Sequence, residues 1–159
     1  AGARTAVLTG SAGSLRVDIS PGEPVLLRDH INLTSSSPLT GPRFLDLSEA
    51  YSPRLRELTN EVDPSIAEGV YVATVGPQTQ TPSELNVLRQ AGADLVGHSI
   101  ALETIAAVES GAEVLGLAIV SNDAVGAVFT PFESERALEV VTQRAHRLGE
   151  LLSQILSRS

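Results

Sequence analysis

Five short runs in this 159-residue chain carry the side chains from which a binding or catalytic site is made. Ser121-Asn122-Asp123 closes an otherwise apolar stretch with three polar residues, a change of character that packing does not explain. Gly97-His98-Ser99 ends another apolar stretch and leads into a segment of helical spacing. A hydroxyl at a helix N-terminus suits phosphate, because free N–H groups and the helix dipole both favour an anion there. The same residue type equally suits a plain N-cap. Gly76-Pro77-Gln78-Thr79-Gln80-Thr81 is a neutral hydrogen-bonding run that opens a second helical segment. Gly10-Ser11-Ala12-Gly13-Ser14 reads as a small-residue turn. Its backbone amides either cradle an anion or simply turn the chain. Asp29-His30 has the composition of an acid–base pair. Asp-His-x-Asn before a loop is also a hydrogen-bonded structural corner. Together these runs point to a polar site, without giving its reaction.

The composition excludes several chemistries. With no Cys there are no disulfides, thiolates or Cys-ligated zinc, and His30, His98 and His146 are too scattered to suggest a metal site. All eleven basic residues are Arg, so a lysine Schiff base or lysine phosphate ligand is also ruled out within this chain. The net charge of −8 argues against nucleic acid, which needs a basic stripe to displace phosphate counterions. No apolar run reaches the roughly 18–20 residues that cross a bilayer, and no signal-like segment opens the chain. The expectation is a soluble cytoplasmic protein with no membrane partner. An apolar content of 42% and a slightly positive mean hydropathy fit a single folded domain over residues 1–159 with an aliphatic core. A domain of this size buries roughly 70% of its unfolded surface.

The polar runs need elements to hold them. Apolar stretches predict strands over Thr5–Thr9, Pro24–Asp29, Gly69–Val75, Asp94–His98 and Glu113–Ser121. Most are continuous rather than alternating, as strands covered by helices on both faces are. Helical spacing predicts a helix roughly over Ser48–Val62, with Tyr51, Leu55 and Leu58 on one face. A second follows Thr81-Pro82-Ser83-Glu84, where Thr caps, Pro fits the first position and Glu completes a capping box. A third is expected over Ser99–Ser110, stopped by Gly111. The last starts at Thr130-Pro131-Phe132-Glu133 and sets Leu138, Val141, Ala145, Leu148, Leu152 and Ile155 on a single stripe. The Ser- and Pro-rich stretch Thr34–Pro42 is a loop long enough to be functional. Strands alternating with helices give an α/β domain with a mixed, mostly parallel sheet flanked by helices. Ligands in such sheets sit beyond the carboxyl ends of the strands, which is where the polar runs lie. Ala rather than Met at position 1, with a strand following closely, reads as a chain that begins within a fold.

Several separated motifs carry a family resemblance. Val25-Leu26-Leu27-Arg28-Asp29-His30-Ile31-Asn32-Leu33 resembles the Asp-His-Ile-Asn-Leu segment of trimeric purine nucleoside phosphorylases. Ser37-Pro38-Leu39, Asp46-Leu47-Ser48-Glu49-Ala50-Tyr51-Ser52-Pro53 and Arg54-Leu55-Arg56 fit the actinobacterial branch. Glu68-Gly69-Val70-Tyr71, Gly76-Pro77, Thr81-Pro82-Ser83-Glu84, Gly92-Ala93-Asp94-Leu95-Val96-Gly97 and Ile119-Val120-Ser121-Asn122 follow in order. The resemblance implies a nucleoside phosphorylase-like fold, present as an incomplete copy because a family member carries a further portion before Ala1. It implies phosphorolysis of purine nucleosides with inorganic phosphate as co-substrate, no cofactor, and a homotrimer. By the same resemblance, Asn122 hydrogen-bonds the purine and stabilises it as it leaves, and Ser99 and Ser11 bind phosphate. Phe44 stands near an aromatic that reaches a neighbouring subunit's ribose site.

Departures from the family pattern cluster in the same runs. Thr-Asn-Ala-Ala-Gly-Gly becomes Thr9-Gly10-Ser11-Ala12-Gly13-Ser14. Gly-Pro-x-(Tyr/Phe)-Glu-Thr becomes Gly76-Pro77-Gln78-Thr79-Gln80-Thr81, replacing an aromatic wall by Thr79 and a base-reading carboxylate by Gln80. Gly-Met-Ser becomes Gly97-His98-Ser99, with His98 where a thioether packs under the ribose. Ser134 stands in place of a His that binds the ribose 5′-hydroxyl, and the phosphate-binding Ser, Arg and His of the family's first third have no counterparts. Gln80 accepts from a purine N1–H without the charge of a carboxylate, which halves the strength of the contact. Alternatively it donates, and Asp123 accepts from a 6-amino group. Two functions therefore stand: a phosphorylase with altered base preference, or a non-catalytic purine-binding or assembly subunit of the same descent.

Overall fold

A computed structural model describes residues 2–124 and 132–158. Its elements run β1 (Thr5–Ser14), β2 (Pro24–Asn32), α1 (Pro53–Val62), β3 (Ala67–Ala73), α2 (Pro82–Gln90), β4 (Leu95–Gly97), α3 (Ala101–Glu109), β5 (Glu113–Asp123) and α4 (Ser134–Leu156). The strands pair in the order β1-β4-β3-β2-β5 and close on themselves. Pairing is parallel between β1 and β5, β2 and β3, and β3 and β4. It is antiparallel between β1 and β4 and between β2 and β5. The mixed, mostly parallel sheet flanked by helices is thus as expected, and it curls into a barrel rather than lying open.

The continuous apolar runs are explained by burial on both faces. Val25, Leu26 and Leu27 are all fully buried, and successive side chains point to opposite sides of β2. Val25 and Leu27 join Tyr71, Leu95, Ala118, Val120 and Tyr51 in one cluster. Leu26 joins Leu115, Leu117, Leu55, Leu151 and Ile155 under α1 and α4. A third cluster seats Leu88 of α2 on Val72 and Val96.

Four expectations change. β1 runs through Gly10-Ser11-Ala12-Gly13-Ser14, so this segment is strand and not a turn. Its parallel ladder with β5 continues to Ser14 opposite Asp123, with a bulge at Ala12 and Gly13, and holds the chain extended. Glycine at position 10 answers crowding instead, since a Cβ there would lie 3.0 Å from Ser99 Oγ and Ile100 Cδ1. α1 starts at Pro53, after Ser48, because Ser52 caps it by accepting from the Leu55 amide. α3 starts at Ala101, and Ser99 does not cap it. α4 buries Ala137, Leu151 and Ile155, whereas Leu138 is 68% exposed. Only its C-terminal half meets the apolar surface of α1 and β5. The start signal at Thr130 and Pro131 lies outside the described residues. Among the described residues no helix is long and apolar enough to cross a membrane.

Candidate functional site

A cleft of about 510 Å³ opens where the C-terminal ends of β1, β4 and β5 meet. Ser11, Thr79, Gln80, His98, Ser99, Asn122 and Asp123 all line it, drawn from three strand ends and the segment before α2. Two walls differ in how they are held.

The strand wall is fixed by backbone pairing. Asn122 sits at the end of β5 opposite Gly13 of β1. Its Oδ1 accepts from the Ser121 hydroxyl at 2.8 Å, which leaves its Nδ2 as the donor offered to the cleft. On β4, Gly97 has no room for a side chain: a Cβ would fall 2.1 Å from the Tyr71 hydroxyl. That hydroxyl passes beneath and accepts the Ser99 amide at 3.2 Å. Burial pushes the Tyr71 phenol up from its ordinary pKa, so it stays neutral as this acceptor. Ile100 then takes φ = 71° and ψ = −52°, a γ-turn closed by the Ala101 amide donating to the Ser99 carbonyl at 2.8 Å, which strains a β-branched residue by about 1–3 kcal/mol. The kink carries the chain from β4 into α3 and leaves the first turn of α3 without a side-chain cap. Ser99 is therefore an exposed hydroxyl beside a helix N-terminus that no side chain caps, a combination that suits an anion.

The loop wall is fixed by side chains. The expected capping box at α2 is present: Thr81 Oγ1 accepts from the Glu84 amide at 3.3 Å, and Glu84 accepts from the Thr81 amide at 2.6 Å. Gln80 directly precedes this box and donates from Nε2 to Thr74 Oγ1 at 3.0 Å. Thr74 Oγ1 also lies 3.0 Å from His98 Nδ1. Gly76, at φ = 62°, lies against the His98 ring so closely that a Cβ would come within 2.8 Å of Cγ. Sequence reasoning missed Thr74, whose place at a strand end reads as ordinary β-propensity. It also missed Asn86 and Arg89 on the cleft side of α2, and Phe132. The one-helical-turn spacing of Asn86 and Arg89 behind a strong N-cap was the available signal. Arg89 is the cleft's one cation among the described residues.

The remaining candidates lie elsewhere. Phe44 is fully exposed and does not line the cleft. Ser134 is exposed at the start of α4 and is likewise not among the lining residues. Asp29 and His30 form the structural corner, with Asp29 Oδ1 accepting the His30 backbone amide at 2.7 Å. The His30 ring instead meets Tyr51 Oη through Nδ1 at 3.1 Å, and burial lowers its pKa. Asn32 organises the following loop by accepting from Thr34 and donating to the Ser36 carbonyl. Among the described residues no group of three His, Cys, Asp or Glu side chains could hold a metal ion.

Comparison with known proteins agrees with this fold. The description of the phosphorylase superfamily matches residues 1–157. The chain belongs to the phosphorylase superfamily. It is 50% identical over 158 residues to a purine nucleoside phosphorylase of Mycobacterium tuberculosis, covering 99% of this chain and 59% of that protein. It is 48% identical over 157 residues to the Cellulomonas purine nucleoside phosphorylase, covering 99% and 56%. The Schistosoma mansoni purine nucleoside phosphorylase in complex with inosine superposes with a TM-score of 0.93 at 29% identity, over 99% of this chain and 62% of that one. This superfamily member is thus homologous to actinobacterial purine nucleoside phosphorylases, and it spans less than two thirds of their length.

Proposed function

We propose that the protein cleaves purine ribo- or deoxyribonucleosides with inorganic phosphate, releasing the free purine and (deoxy)ribose 1-phosphate in purine salvage. The observation that carries this reading is the convergence of Ser11, Gln80, Ser99 and Asn122 on one cleft from four separate segments. The reaction makes the sugar cationic while the purine departs with negative charge, so it needs a donor at the base and an anion held at the sugar. Asn122 Nδ2 is the donor to the departing ring. Ser99, the N-terminus of α3 and the neighbouring Ser11 make the phosphate end, and His98 and Thr79 flank the ribose.

The orientation of Gln80 bears on base preference. One of its two Nε2 hydrogens is donated to Thr74, which orients the amide, and its carbonyl oxygen accepts from the N1–H of a 6-oxopurine. Asp123, exposed at the end of β5, is the alternative acceptor for a 6-amino group. Phe44, fully exposed on its own subunit, is read as reaching a neighbour's ribose site in a homotrimer. Chromatography of inosine, guanosine and adenosine incubated with phosphate tests the reading. The expected order is inosine and guanosine well ahead of adenosine; no phosphate-dependent base release from any of the three would overturn it.

A second reading, a non-catalytic purine-binding or assembly subunit, is favoured by the scarcity of positive charge in the cleft, where Arg89 stands alone among the described residues. It predicts purine binding by calorimetry with no base release.

A further inference from the structure

We infer that Thr74 is a positioning residue that sets base recognition and sugar recognition together through a single hydroxyl. This rests on the phosphorylase reading of the cleft. Gln80 and His98 both depart from the family pattern, and both hydrogen-bond to Thr74 Oγ1, each at 3.0 Å. Thr74 itself does not line the nucleoside cleft; it lines a smaller cleft behind the Gln80 wall. It therefore acts on a bound nucleoside only through its two partners.

The proton inventory fixes what each partner presents. His98 Nδ1 also lies 3.3 Å from the Thr74 carbonyl oxygen, which can only accept, so Nδ1 carries the hydrogen. The Thr74 hydroxyl then accepts from His98 Nδ1 and from Gln80 Nε2, and donates to the Gly97 carbonyl at 3.4 Å. Its one donor and both acceptor sites are used. With Nδ1 turned to Thr74, the imidazole presents its other nitrogen, Nε2, to the cleft. With one Nε2 hydrogen held by Thr74, the Gln80 amide is oriented and offers Oε1 as its acceptor. The site thus presents two fixed acceptors, one toward the base and one toward the sugar. It fits a nucleoside with an N–H on the base edge and a free hydroxyl on the ribose. A thioether at position 98 would offer only a weak acceptor, so the sugar contact belongs to this chain's own trio.

The test compares Thr74→Val and Thr74→Ser in the full protein. Steady-state kinetics with inosine, 2′-deoxyinosine and 3′-deoxyinosine is joined by calorimetry of inosine binding without phosphate. Losing the shared hydroxyl lowers kcat/KM for inosine about tenfold, chiefly through KM, which is the loss of one to two hydrogen bonds. Thr74→Ser keeps the hydroxyl and stays within about twofold of the wild type. The preference of the wild type for inosine over whichever deoxy analogue lacks the contacted hydroxyl narrows in Thr74→Val, and the two analogues identify that hydroxyl. Should Thr74→Val fail to fold, Thr74→Ala is read against Thr74→Ser in its place. Equal activity of the Val and Ser variants, or equal impairment of both, overturns the inference while leaving phosphorolysis by the wild type intact. If the wild type releases no base, inosine affinity still separates the Val from the Ser variant. If it also binds no inosine, both readings fall together.

Discussion

The two walls of the cleft solve the same problem by different means. On the strand wall, Asn122 is held by the β1–β5 ladder, and the Ser99 amide by the Tyr71 hydroxyl under Gly97. On the loop wall, side-chain hydrogen bonds to Thr74 hold Gln80 and His98. A residue fixed by a strand ladder is hard to replace without moving the barrel. A residue fixed by one hydroxyl can change together with its partners.

This contrast predicts a graded series of effects. The largest effect on stability is that of Gly97→Val, which drives a side chain into the Tyr71 ring and hydroxyl. Overpacking of this kind costs ~1–3 kcal/mol or more, or roughly 2–4 °C in melting temperature for each kcal/mol at this size. Calorimetric unfolding checks it, and an unchanged melting temperature would break the claim that β4 is rigidly seated. Next is Asn122→Ala, expected to lower kcat by about 10²–10³ while leaving the melting temperature near the wild type, as loss of a preorganised donor does. Steady-state kinetics at saturating phosphate reads it directly.

Tyr71→Phe comes third. It strands the Ser99 amide without its acceptor, a loss of about 1–3 kcal/mol in stability, and is expected to raise KM for phosphate more than KM for inosine. Equal rises in both constants would place Ser99 away from the phosphate end. The smallest effect concerns His30, half-buried against Tyr51 and outside the cleft. Burial lowers its pKa from the ordinary 6.5, with Asp29 opposing. Above pH 6.5 both folded and unfolded states carry it neutral. As pH falls below that value the unfolded state binds a proton first, so this contribution to stability is lost on acidification and not on alkalinisation. Denaturant midpoints from pH 7.5 to 5.5 should decline less in His30→Phe than in the wild type.

Much of the fold was legible because its signals are local. The unbroken runs at Val25–Leu27 and Val114–Val120 announce strands buried on both faces, and Thr81-Pro82-Ser83-Glu84 announces the helix it caps. Seven of the candidate residues fell on polar strand ends or the loop beside them, and they share one cleft. What escaped depends on neighbours distant in sequence. Gly10 to Ser14 looks like a turn until β5 pairs along it. Ser99 looks like a cap until Ile100 takes a positive φ and moves the helix start past it. Thr74 matters because Gln80 and His98, six and twenty-four residues away, arrive at its hydroxyl. The closing of the sheet into a barrel is likewise a property of pairings between strands far apart in the chain.

In the proposed reading the two walls form one nucleoside site, with the base held between Asn122 and Gln80. A crystal structure of the protein grown with hypoxanthine and phosphate tests this most directly. The account predicts the purine ring within hydrogen-bond distance of both Asn122 Nδ2 and Gln80 Oε1, with an anion at Ser99. Hypoxanthine bound away from Asn122, or an anion lodged elsewhere with Ser99 untouched, would contradict it.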